Sequence, residues 1–363
     1  GQKILDIYYD NNSNFKNKID DLNLKFYLET EKYLKNEEKQ KSQQMQANLF
    51  MILFDEINIL LEEKNKRLDQ YQYEVCIEDN NVVVAAGAGS GKTQLALAFA
   101  ETMSFDESQI CTVAVGADWT NREPLLGYPS ALESDKYIRP DSRVLDFLID
   151  AAANETRPYF LILDEMNLSY VERYFVDTLS VMESDKKIRL WKGSDSDGTP
   201  DSIPLPKNLY IIGTINVDET TYLFSPKVLD RASVIEFKIS ETDMDDFLGG
   251  FKVVDRSKLS SKCADMGNDF VNKSCVAATE PDTVTHDILL EFFKQLKSVN
   301  AEFGYRSATE ILKFIEIAKN NDDTATILND DQILDAAIVQ KLLPKLHGSK
   351  KRLDPVLKQL WSL

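Results

Sequence analysis

"AAGAGSGKTQLALAFAETM" runs from Ala85 to Met103 and directly follows the β-branched run "NNVVV". The valines read as a buried strand, and "KTQLALAFAETM" is rich in helix formers. Between them lies a turn of small residues. A loop leading from a strand into a helix N-terminus presents several backbone N–H groups, and the helix dipole adds positive potential at the same place. Such a loop suits a phosphate chain. Gly87, Gly89 and Gly91 let the backbone come close, Lys92 can reach the β- and γ-phosphates, and the Thr93 hydroxyl can ligate Mg²⁺. Nucleotide contacts are therefore expected from Gly87, Ala88, Gly89, Ser90, Gly91, Lys92, Thr93 and Gln94. The pattern G-x-x-x-x-G-K-[ST] is missed by one methyl, because Ala86 stands at its first position. The competing reading is a glycine-rich turn followed by an incidental Gly-Lys-Thr.

Working outward, a nucleotide site needs an acidic residue at the end of another buried strand. "YFLILDEMN" supplies it. Phe160 to Leu163 are apolar at every position, as a central parallel strand requires. Asp164 then falls at the carboxyl end, where such sheets bind ligands, and would hold Mg²⁺. Glu165 would polarise the attacking water. A third strand, "NLYIIGTINVDET", ends in Thr214 and Asn216, and Asn216 either positions that water or caps the strand. In "SPKVLDRASVIEF" Arg231 ends a short helix before a last strand; it reads as an arginine finger or as a surface arginine. "FGYRSATEI" puts Arg306 at a helix start, from which it could close over the phosphates.

The organisation around these motifs has three parts. Residues 71–240 alternate strands with helices ("NVVVAA", "CTVAVG", "YFLILDEM", "NLYIIGTIN", "SVIEFK"), which predicts an α/β core with a parallel sheet and crossover helices. Residues 241–363 carry helical patterns, with a polar stretch at about 252–283 that reads as loop. Residues 1–70 are charge-rich with apolar residues at helical spacing, a helical extension or spacer. The start at "GQKIL" has no initiator methionine and suggests a truncated chain.

Composition narrows the class. The 363 residues are 43% apolar and 28% charged, a globular balance with room for two or three domains. No apolar run is long enough for a membrane span and no signal peptide opens the chain. The four scattered cysteines, with no C-x-x-C pair, read as reduced thiols of a cytoplasmic protein. The formal charge of −18 argues against a surface that grips nucleic acid throughout. A nuclease is not visible: Glu37–Lys39 and Glu62–Lys64 have Glu-x-Lys spacing, but read as solvated helix faces.

The order of phosphate loop, "LDE", "TIN", "LDR" and "GYR" resembles an AAA+ ATPase. More narrowly, "FLILDEMNLSYVERYFVDTLSVME", "GTINVDETTYLFSPKVLDRA" and the terminal "QKLLPKLHGS" resemble the McrB branch, the NTPase subunits of modification-dependent restriction systems. The resemblance covers about residues 71–363. It implies an AAA+ P-loop core at 71–240 and a helical lid at 241–363. It implies Mg²⁺-dependent hydrolysis of ATP or GTP in a homo-oligomeric ring, a hexamer. Its partners would be a McrC-like nuclease subunit, and DNA reached through that partner or a domain absent from this chain. It also implies hairpins at two insertions, around "DKYIRPDS" and "KGSDSDGTPDS". The GTP-hydrolysing members carry Met-Asn-Thr-Ala-Asp after the third strand, where this chain has Ile215-Asn216-Val217-Asp218-Glu219; ATP and GTP therefore both stay open. Other readings are a MoxR-type chaperone ATPase, a nucleotide-binding scaffold, and a superfamily 1 helicase, which would need a second RecA-like domain in place of the helical region.

Overall fold

The computed structural model describes residues 81–86 and 91–360, apart from 134, 183, 185, 193–197, 217–221, 223, 238–240, 251–255, 320–328 and 347–349. The extension expected at 1–70, the loop residues Gly87, Ala88, Gly89 and Ser90, and the stretch 217–219 lie outside the described residues.

The chain begins with strand β1 (Asn81–Ala86), helix α1 (Lys92–Met103), strand β2 (Ile110–Ala114) and the one-turn helix α2 (Glu123–Leu126). A hairpin of β3 (Tyr128–Pro129) and β4 (Tyr137–Ile138) precedes helix α3 (Val144–Ala153) and strand β5 (Tyr159–Asp164). Short helices α4 (Val171–Tyr174) and α5 (Val176–Val181) lead to a second hairpin, β6 (Ile188–Arg189) with β7 (Ser202–Ile203). Strand β8 (Leu209–Asn216), helix α6 (Pro226–Leu229) and strand β9 (Ser233–Phe237) complete the sheet. Helices α7 (Glu241–Gly249), α8 (Gly267–Ser274), α9 (Thr283–Lys297), α10 (Tyr305–Lys319), α11 (Asp330–Lys341) and α12 (Lys350–Leu360) follow.

All five strand segments read from the sequence join one sheet, in the order β2-β5-β8-β1-β9, with every pairing parallel. Helices cover both faces, so the interior strand β5 is apolar at successive positions: Phe160, Ile162 and Leu163 are fully buried. On one face Phe99 of α1, Phe160 of β5, Tyr210 of β8 and Phe270 of α8 form an aromatic cluster. Edge-on and offset contacts of this kind add to the gain from burial. On the other face Leu145 and Leu148 of α3 pack with Leu161, Leu163, Met166 and Tyr174.

The cluster overturns one expectation. The stretch 252–283 reads as loop, yet Gly267–Ser274 is helical. Phe270, Val271 and Ser274 form its buried face, and Tyr210 Oη lies 2.7 Å from Ser274 Oγ. Two turns of helix with two large apolar residues give too weak a periodicity to stand out from polar neighbours; contact with the sheet stabilises them instead.

Both insertions carry antiparallel hairpins, and Tyr137 of one meets Trp191 beside the other with ring centroids 5.8 Å apart. Cys111 and Cys275 are free thiols, and burial pushes the Cys111 thiol up to about 11. Among the described residues no helix is long and apolar enough to cross a membrane.

Candidate active site

The strand order assembles the site. β8 lies between β1, which leads toward the glycine-rich segment, and β5, which ends in Asp164. In register, Ala86 sits opposite Asn216 and Leu163 opposite Gly213. The carboxyl end of β8 therefore stands between the loop's lysine and the Asp-Glu pair. β8 approaches the turn after β5 so closely that a Cβ at Gly213 would collide with Met166 Sδ. A side chain there would require Met166 to shift.

α1 starts at Lys92, preceded by Gly91 in the left-handed region with φ 88°. Only glycine adopts that conformation without steric cost, and it turns the chain abruptly into the helix. Lys92 is buried, and its Nζ donates to Asn216 Oδ1. Asn216 Nδ2 in turn donates to Glu165 Oε1 at 3.0 Å. One amide thus spaces the lysine from the glutamate and orients both. Below it, Asp164 Oδ1 accepts from Thr93 Oγ1 and from Thr214 Oγ1, each at 2.6 Å. Thr214 is fully buried, and its Oγ1 accepts from Glu165 N at 3.1 Å. The hydroxyl therefore ties the carboxylate of one residue to the backbone of the next.

Glu165 has φ 53° and ψ 45°, the left-handed region for a residue with a Cβ. That conformation costs roughly 1–2 kcal/mol and persists only where neighbours enforce it. Here the hydrogen bond from Glu165 N and the one from Leu168 N to Glu165 O, at 2.8 Å, hold it. The turn aims the side chain at Asn216 instead of along the strand.

Asn167 is a further site residue that the sequence reading passed over. It is buried, its Nδ2 donates to Asn216 O at 2.9 Å, and its backbone carbonyl accepts from Tyr222 N at 3.0 Å. It ties the end of β8 to the turn after β5. The signal was present as the Asn of "DEMN", three residues after Asp164.

Arg231 and Arg306 influence each other. Arg231 Nε donates to Leu179 O at 3.0 Å, and its guanidinium also reaches Lys227 O. Burial first, and then the nearby Arg306 guanidinium, lower its pKa, while Glu310 opposes the shift. Arg306 is near enough for its charge to act on Arg231. Gln94, also expected at the nucleotide, is exposed on α1.

Thr93 Oγ1 and Asp164 Oδ1 are hard oxygen donors of the kind Mg²⁺ takes when phosphate and water complete its shell. Among the described residues there is no group of three or more His, Cys, Asp or Glu to hold a metal by protein alone. The donor set fits an ion that arrives with a phosphate chain.

Residues 258–363 match a family described as "Domain of unknown function (DUF8727)". The chain is 26% identical over 141 residues to the type IV methyl-directed restriction enzyme EcoKMcrB subunit of Escherichia coli strain K12. That match covers 38% of this chain and 30% of the relative, so the chain spans less than a third of the protein it matches. A crystal structure of a protein of Cytophaga hutchinsonii, assigned as an ATPase, superposes with TM-score 0.54 at 14% identity, over 88% of this chain and 98% of that one. Hsp104 in its closed state with ATPγS and FITC casein follows at TM-score 0.33 and 16% identity, over 72% of this chain and 39% of that one, too distant to bear on the reading. The chain shares its fold with the Cytophaga ATPase and is similar in sequence to McrB.

Proposed function

We propose that the chain hydrolyses a nucleoside triphosphate, ATP or GTP, as the motor subunit of a homo-oligomeric ring that drives a partner nuclease acting on DNA. The observation that carries the hydrolytic part is the linked pair of networks at the carboxyl edge, Lys92–Asn216–Glu165 and Thr93–Asp164–Thr214. Lys92 follows the β- and γ-phosphates. Thr93 and Asp164 hold Mg²⁺, which neutralises charge developing on those phosphates. Glu165 orients the attacking water and accepts its proton, while Asn216 fixes the carboxylate that does so. Arg231 completes the site of the neighbouring copy.

The similarity to McrB supports a restriction motor, and the broad match to the Cytophaga ATPase favours equally a MoxR-type motor that remodels a protein complex. The two share the chemistry and differ in the client. Hydrolysis of ATP and GTP by the chain, measured with Glu165→Gln as control, tests the chemistry. Affinity purification from its host tests the client: a co-purifying nuclease subunit supports restriction, and a non-nuclease complex supports remodelling.

A further inference from the structure

Arg231 directly follows Asp230, and Asp230 is gripped from the C-terminal helices. Lys345 Nζ lies 2.5 Å from Asp230 Oδ1 and 2.9 Å from Ser307 Oγ, and Ser307 Oγ lies 3.4 Å from the same carboxylate oxygen. The Lys345 side chain is 7% exposed, its partner's 38%. Taking an ammonium out of water is costly, and an apolar side chain of similar volume would often stabilise the turn as well or better. What the ion pair adds is direction: it fixes where the Asp230 carboxylate points. A second buried lysine, Lys341, four residues earlier, pairs with Glu310. Glu310 in turn supports the charge of Arg231. Two lysines at the end of α11 and the turn after it therefore hold two carboxylates that flank Arg231. The turn at Leu343–Lys345 also packs on α6, whose last turn carries Asp230.

We propose that Lys345 is a positioning residue through which the C-terminal helices set the direction of Arg231 toward the neighbouring copy's nucleotide. This rests on the reading of Arg231 as an arginine that acts in trans. α6 has only four residues, and Asp230 caps its end. A shift of the C-terminal helices against the sheet carries Asp230 with it, and the Arg231 backbone moves too. At the tip of a long side chain that movement is amplified. A misplacement on the order of 1 Å is enough to change turnover about a hundredfold.

The test uses the assembled protein and mixed rings. Arg231→Ala mixed with Lys92→Ala is the control, because some boundaries then recover one good loop beside one good arginine. Recovered turnover supports the trans reading; no recovery overturns that reading and the proposal with it. Lys345→Met is expected to lower kcat on the order of a hundredfold while triphosphate affinity and KM stay at the unsubstituted values. Mixed with Lys92→Ala it recovers turnover; mixed with Arg231→Ala it recovers none, since every boundary then lacks a well-aimed arginine. Asp230→Asn keeps an acceptor for Lys345 and retains turnover within about threefold. With the control positive, the proposal falls if Lys345→Met keeps its kcat, if it fails to complement Lys92→Ala, or if its loss tracks a lowered melting temperature. If Lys345→Met does not fold, Asp230→Ala carries the same two mixtures with the same expected pattern.

Discussion

The carboxyl edge of the sheet and the boundary between α6 and the C-terminal helices both concentrate charged side chains, but they hold them differently. At the edge the groups are mostly short: Thr93, Asp164, Thr214 and Asn216 interlock on adjacent strands and the first turn of α1. At the boundary they are long: Lys341 and Lys345, at a helix end and the turn after it, pair with acids contributed by other elements, and Arg231 reaches backbone carbonyls of Leu179 and Lys227. A short side chain on a strand has little freedom once the sheet is hydrogen-bonded, so the edge is preorganised within one chain. A long side chain follows whatever its partner does. The edge suits chemistry that must not move, and the boundary suits a part that reports on another element.

Four substitutions break or sharpen this contrast. The largest effect is expected at the edge: Lys92→Ala removes the cation that follows the phosphates, and calorimetric titration should show tight triphosphate binding lost. Equal affinity in that variant would make the loop a structural turn. At the boundary, Arg231→Ala should leave binding intact and lower turnover by about three powers of ten or more, with turnover per subunit of the unsubstituted protein rising with concentration through assembly. Full turnover by dilute monomer would remove the contrast. Glu165→Gln returns to the edge: an amide cannot take the proton of water, so hydrolysis should fall about 10²–10⁴-fold with nucleotide still bound, read by steady-state turnover beside binding. Smallest is Thr214→Val, which keeps the shape but leaves Glu165 N and Asp164 Oδ1 each short of a partner. It should cost about 1–3 kcal/mol, seen as a melting temperature lower by roughly 5 °C. An unchanged melting temperature there would mean that the edge is less tightly interlocked than its distances imply.

Legibility followed the same division. The strand segments, the Gly-Lys-Thr turn and the Asp-Glu pair after "FLIL" were all readable, because each is a local pattern whose meaning does not depend on what packs against it. Asn167 was missed because a buried asparagine that ties two loop ends looks, in sequence, like any polar residue after a strand. The helix at Gly267–Ser274 was missed because Phe270 and Ser274 become a buried face only against Tyr210 and Phe160 of a sheet formed much earlier in the chain.

The sequence by itself determined the alternation of strand and helix, since run length and the residue at a strand end are set by neighbours along the chain. Only the tertiary structure decided that β8 lies between β1 and β5, which lets Asn216 bridge Lys92 and Glu165. It alone brought Lys345 to Asp230 across 115 positions and Arg306 near enough for its charge to act on Arg231. Strand order and helix docking depend on which surfaces bury best against each other, and that is a property of the folded whole that no local window contains.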